Sequence, residues 1–164
     1  MRQVFPPFWI FIQRLLLSVG VGGMLVLAYV AVPVVFQQLP DRLLAGKLAG
    51  EILVYSNYLS LLCFSLLIPL ASWSTFQKNN IVFWDKMYLV LLLCVFGLIV
   101  INQFIIFPNM RELKDLVAPL DVMLSPKRAE FVWWHGISSV LYLTHSLLGI
   151  GVLITAYPNS KQEA

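Results

Sequence analysis

Over most of this chain apolar residues neither alternate nor recur every third or fourth position; they run on. Residues 15–36, 52–73, 87–107 and 131–157 are almost continuously hydrophobic, and the charged residues gather between them. At about 1.5 Å rise per residue, some 20 residues cross the ~30 Å hydrocarbon core of a bilayer, so each run has the length of a transmembrane helix. The predicted fold is all-α, an integral membrane four-helix bundle forming a single domain over residues 1–164, with the lipid bilayer as its first partner.

Polar and small residues inside the runs refine this picture. Ser18, Gly20, Gly22 and Gly23 gather on helix one. Small residues let a second backbone approach, so Ser18, Gly22 and Gly23, with Gly149 on helix four, are the expected helix-packing positions. Arg14 at the start of the run reads as an anchor whose head reaches the headgroups. Pro33 marks the exit of helix one, and Pro40 with Asp41 reads as a helix stop and restart. Residues 37–50 interleave Leu43, Leu44 and Leu48 with Arg42 and Lys47, which predicts a short amphipathic helix leading into span two; Gly46 and Gly50 there form a weak GxxxG. Span three is expected to end at Pro108, with a charged connection over residues 109–130. Trp73 and Trp84 bracket the connection over 74–85 as interfacial aromatics do.

Composition excludes more than it assigns. With 60% hydrophobic and 12% charged residues among 164, no room remains for a sizeable soluble domain. The net charge of +3 sits in short flanks of the spans, which fits headgroups and orientation and gives no role to nucleic acid. The first run is too long for a cleaved leader, Arg14 interrupts its start, and Pro33 stands where a small-residue cleavage site belongs, so an uncleaved anchor is expected. Lys and Arg numbers are nearly equal on the two sides: Arg2, Arg14, Lys78, Lys86 and Lys161 share the side of the termini and six lie opposite. The acids concentrated on that opposite side favour cytoplasmic termini. Two cysteines, Cys63 and Cys94, exclude a disulfide framework; at similar depth they read as core packing or, if facing, as a Cu(I) pair.

Span four carries the most specific pattern. His135, Ser138, Tyr142, His145 and Gly149 recur at steps of three and four, so about 100° per residue confines them to one stripe of roughly 80°. Lipid satisfies no such groups, and the stripe is expected to face the bundle interior. Asn57, Asn102 and Gln103 enter from the same membrane face as His135, which predicts a polar pocket beneath the face opposite the termini, with Asn57, Asn102, Gln103, His135, Ser138 and Tyr142 as its ligand-binding candidates. Two readings stay open: these groups bind a ligand, or they bond to one another and hold the helices together.

Known chemistries fit poorly. Both histidines lie on one helix about 15 Å apart and cannot clamp one haem within a monomer, leaving a five-coordinate or dimer-shared haem as the cofactor alternative. No zinc ligand stands one turn from either histidine. Ser138 has no acidic orienter for a nucleophile and base pair. A proton relay through His135, Tyr142 and His145 is physically easier, and no catalytic residue is assigned.

Residues 16–39 (LLSVGVGGMLVLAYVAVPVVFQQL), 44–51 (LAGKLAGE), 103–113 (QFIIFPNMREL) and 131–152 (FVWWHGISSVLYLTHSLLGIGV) resemble the membrane family known as domain of unknown function 4149, related to animal transmembrane protein 205. The glycine-rich first helix, Pro33, the P-x-M of Pro108 and Met110, and the HGxSSxLYL beginning at His135 carry the likeness. The resemblance implies a four-helix inner-membrane protein of proteobacterial type without an assigned activity, and it favours His135 over His145. Helix one is also faintly similar to copper-resistance D-type proteins and membrane protoporphyrinogen oxidases, although spans one to three here hold no histidine. Three functions compete: a non-enzymatic accessory subunit or homo-oligomer, a small-molecule or metal transporter or binder centred on His135, and a haem or quinone redox protein.

Overall fold

In hydrocarbon every backbone N–H and C=O must find its partner within its own segment, and all four apolar runs answer by being helical. In this computed structural model, which describes residues 7–77 and 81–156, the helices are α1 (Phe8–Gln38), α2 (Arg42–Phe76), α3 (Phe83–Val117) and α4 (Arg128–Thr155). Each is long and apolar enough to cross a membrane, and no strand occurs among the described residues. The protein is a multi-pass membrane protein built as an all-α four-helix bundle. Tyr157, at the expected end of span four, and Arg2, Lys78 and Lys161 lie outside the described residues.

The helices outrun the apolar spans. At about 1.5 Å per residue, the 35 residues of α2 and of α3 each measure roughly 53 Å, well beyond the ~30 Å of hydrocarbon. The amphipathic stretch expected as a separate short helix is therefore the first part of α2. Asp41 starts it, its carboxylate accepting from the N–H groups of Leu43 at 2.8 Å and Leu44 at 3.3 Å. Likewise α3 passes Pro108 and continues to Val117 because Met110 and Leu113 turn an apolar side inward. The long charged connection shortens to residues 118–127, with a 3₁₀ turn at Val122–Leu124. Glu51 of α2 and Arg111 of α3 meet there at 2.7 Å.

Two π-turns interrupt the α-helical pattern, Leu27–Ala31 in α1 and Asn102–Ile106 in α3. In both, a proline follows two residues later, Pro33 and Pro108. A proline lacks the N–H and crowds the carbonyl four residues back, and the helix relieves this by widening just before it. The N–H of Val32 reaches Leu27, and that of Phe107 reaches Asn102, each five residues back. The α3 turn opens on Asn102 and Gln103, neighbours in sequence that are both buried, at 0% and 5% exposure.

The helices close into a ring in chain order, with α4 returning to α1. Leu17, Val21 and Met24 of α1, Phe64, Leu67 and Ala71 of α2, Leu92, Val95 and Ile99 of α3, and Tyr142 and Val152 of α4 fill its core. Leu62, Leu66, Leu93, Leu143 and Leu147 point outward, as lipid-facing side chains do. Close approach falls on particular glycines: a Cβ on Gly20 would lie 3.1 Å from Cys63 Cβ, and one on Gly149 would lie 3.2 Å from Val21 Cγ1. Ser60 donates to the Gly20 carbonyl at 3.1 Å, and Gln13 donates to the Leu70 carbonyl at 3.1 Å, joining α1 to α2.

Three expectations change here. Gly23 does face α2, where an added Cβ would lie 3.4 Å from Leu59 Cδ2, but Ser18 is exposed and a Cβ on Gly22 would meet nothing within 4 Å. Those two positions face away from the core. Cys63 is buried whereas Cys94 is exposed, so the thiols do not face each other as a metal pair. Pro33, expected at the exit of helix one, is exposed, and α1 continues past it to Gln38.

Candidate functional site

The polar residues inside the bundle form two neighbouring hydrogen-bonded groups, one around Asn57 and one at Asn102. Asn57 on α2 is fully buried and donates from Nδ2 to Gln103 Oε1 at 3.2 Å. Its Oδ1 accepts the Tyr142 hydroxyl at 2.6 Å, and the Leu53 carbonyl stands 3.2 Å from the same hydroxyl. One turn outward on α4, Ser138 donates to Asn102 Oδ1 at 2.9 Å. Asn102 and Gln103, the first two residues of the α3 π-turn, thus meet different helices, α4 through Ser138 and α2 through Asn57. Ser146 donates to the Tyr142 carbonyl at 2.6 Å and accepts the Tyr29 hydroxyl at 3.1 Å, which extends the chain of bonds to α1. All four helices take part.

Part of this layer is unsatisfied. Among the described residues Asn102 Nδ2 and Ser56 Oγ have no hydrogen-bond partner, although Ser56 sits beside the Tyr142 hydroxyl. His145 is 0% exposed, and neither ring nitrogen makes a hydrogen bond, the carbonyl of Leu141 being its polar neighbour one turn back. The imidazole packs against the Tyr142 ring with centroids 4.7 Å apart at 50°.

The stripe read on span four divides. Ser138, Tyr142, His145 and Gly149 are inside, while His135 is exposed. It stacks on Phe131, centroids 6.0 Å apart at 10°, and the same ring carries Lys114 Nζ at 5.4 Å. His135 thus belongs to the charged rim, exposed beside Phe131 and close to Lys114 of α3. The pocket centred on His135 is replaced by a closed layer centred on Asn57 and Tyr142. Ser138 donates its hydroxyl hydrogen to the Asn102 amide oxygen, and no hydrogen bond joins it to a histidine among the described residues. Tyr29 and Ser146 were missed from sequence; Ser146 stands one turn from Tyr142, whereas Tyr29 looks like any aromatic of an apolar run.

Neutral amides, hydroxyls and an imidazole, linked across four apolar helices, define a polar-cored membrane bundle. The chain belongs to the family described as a domain of unknown function (DUF4149), whose model matches residues 15–118. That region covers α1 from Leu15 through α3, and so includes Asn57, Asn102 and Gln103; Ser138, Tyr142 and His145 lie beyond it. No curated protein and no solved structure matches the chain.

Proposed function

We propose that this protein is a non-enzymatic component of the bacterial inner membrane, with cytoplasmic termini, that works by packing through its outer surface against a second copy or a larger membrane complex. One observation carries this reading: the interior amides and hydroxyls are engaged with each other, while Ser18 and Gly22, one turn apart on α1, face outward over open space. A small-xxx-small pair on a lipid-facing helix admits another backbone closely. Exposed Leu15, Val26 and Tyr29 continue that face. In native membranes, Ser18→Cys is expected to crosslink to a second chain or to a partner under mild oxidation, while the naturally exposed Cys94 in the unchanged protein does not. A monomeric band for both would overturn the reading.

A second reading, a small-molecule binder in the polar layer, draws on the unpaired Asn102 Nδ2, Ser56 Oγ and His145. One substitution separates the two. If the layer only holds helices, His145→Leu replaces an imidazole without hydrogen bonds by an apolar side chain and is expected to raise stability by about 1–3 kcal/mol, read as a higher melting temperature in detergent. A lower melting temperature would mean that the imidazole has a partner in the native protein, and would favour the binder.

A further inference from the structure

Three side chains of the polar layer keep unpaired atoms, and they differ in what stands beside them. Ser56 Oγ has the Tyr142 hydroxyl next to it, and His145 has the Leu141 carbonyl one turn back on its own helix. Asn102 Nδ2 carries two N–H donors and meets no acceptor among the described residues, although Asn102 is 0% exposed. Its Oδ1 takes the Ser138 hydroxyl at 2.9 Å, which holds the amide between α3 and α4. A buried donor in this position carries its full desolvation cost unless something accepts from it.

The backbone is interrupted at the same place. Asn102–Ile106 is the π-turn of α3, in which the N–H of Phe107 reaches the Asn102 carbonyl. The next residue is Pro108, which has no N–H, so the series leaves a carbonyl of this turn without its backbone donor. The Ile105 carbonyl is served by a side chain instead, Asn109 Nδ2 at 2.6 Å. In membrane helices such interruptions are satisfied by side chains, by neighbouring helices or by ordered water. An unpaired side-chain donor and an interrupted ladder thus fall on one turn of one helix.

The surroundings decide what fits there. The buried polar side chains are Ser, Thr, Asn, Gln and His, with no acid, lysine or arginine among the described residues, so a charged occupant would lie in low dielectric without a counter-ion. Asn102, Gln103, Ile106 and Ser138 are each at most 5% exposed, and the Ser138 bond draws α4 onto α3. Anything larger than a solvent molecule would have to part the two helices. Buried waters typically make about three hydrogen bonds to groups that the protein leaves unpaired, and water both accepts from an amide and donates to a carbonyl.

We propose that an ordered water molecule is bound at the π-turn of α3, accepting a hydrogen bond from Asn102 Nδ2. The assignment rests on the binder reading of the polar layer and gives it an occupant at one position.

The test is magnetisation transfer from water, read by solid-state NMR on the isotope-labelled full chain in liposomes. At short mixing times the Asn102 Nδ2 signal is expected to appear while that of Asn57 Nδ2, equally buried but bonded to Gln103, stays absent. Pro108→Ala restores the missing N–H and lets the turn close, and should abolish the transfer to Asn102 with the helices intact. Both amides present alike, both absent, or transfer undiminished in Pro108→Ala would each overturn the proposal. Mass spectrometry of a solvent extract of the protein from native membranes separates the two ways of failing. A stoichiometric small organic molecule, with Asn102 receiving nothing from water, would overturn the water and leave the binder reading standing. No such molecule, with Asn102 equally silent, would overturn both.

Discussion

Asn57→Leu is expected to destabilise the bundle by about 2 kcal/mol and lower its melting temperature in detergent, because one small side chain serves two helices at once. Asn57 gives its amide N–H to Gln103 and takes the Tyr142 proton, so α2, α3 and α4 all lose a contact when it goes. Interhelical hydrogen bonds in membranes average only ~0.6 kcal/mol, with a maximum near 1.7, so the two bonds alone account for roughly half the effect. The remainder is the cost of a buried Gln103 carbonyl left without a donor. Tyr142 suffers less, since the Leu53 carbonyl is already 3.2 Å from its hydroxyl. This partition has its own check: adding Gln103→Leu to Asn57→Leu removes the orphaned acceptor and is expected to recover at least half of the loss. If Asn57→Leu melts with the unaltered protein, the polar layer does not hold the helices.

That layer was half legible in the sequence, and the division has a physical origin. Asn57, Asn102, Gln103, Ser138 and Tyr142 stand out because hydrophilic groups in an apolar run must turn from lipid, and helical periodicity shows that Ser138 and Tyr142 share a face. The pairings do not follow from periodicity. On a regular helix Asn102 and Gln103 diverge by about 100°, and here they meet different helices, α4 through Ser138 and α2 through Asn57. A proline stands two residues past each π-turn, Pro108 in α3 and Pro33 in α1, and was the available signal for the turns themselves.

His135 and His145 show a different limit. Both lie on the stripe, but its outer end is left exposed at His135 although α3 reaches that level, with Lys114 over the Phe131 ring one turn further out. The continuation of α2 and α3 through residues 42–51 and 108–117 was read as a short amphipathic helix and a charged connection because those segments lie outside the apolar runs. Most of the charges lie on exposed positions, Glu51 and Lys114 being half-buried, while Ala45, Ala49, Met110 and Leu113 are buried, so an amphipathic helical extension was written there beyond the apolar span. Membrane spans are read from hydropathy and helices from periodicity, and here the two have different ends.

Gly20→Leu and Gly22→Leu, two positions apart, are expected to behave in opposite ways, and the first carries the larger penalty in the molecule. A Cβ at Gly20 would sit 3.1 Å from Cys63 Cβ and 3.3 Å from Phe64 Cε2. Cys63 Cβ is rooted in the α2 backbone and does not swing aside, and Phe64 is 1% exposed in the core, so the leucine has to push α1 from α2. Overpacking of this kind costs about 1–3 kcal/mol and occasionally more; loss of the Ser60 bond to the Gly20 carbonyl brings the expected total to about 3 kcal/mol. Higher helix propensity of leucine returns less than ~1 kcal/mol and does not reverse the sign. At Gly22 the same substitution meets open space, gains that propensity, and leaves the melting temperature of the isolated chain unchanged or slightly raised. Its effect should appear instead in the Ser18→Cys crosslinking, where a leucine on the outward face holds the second backbone away. Thermal melting of the two variants in one detergent decides the internal contact: equal melting temperatures would mean that α1 does not press Gly20 on Cys63. Crosslinking that survives Gly22→Leu would show that the partner meets the protein on another helix.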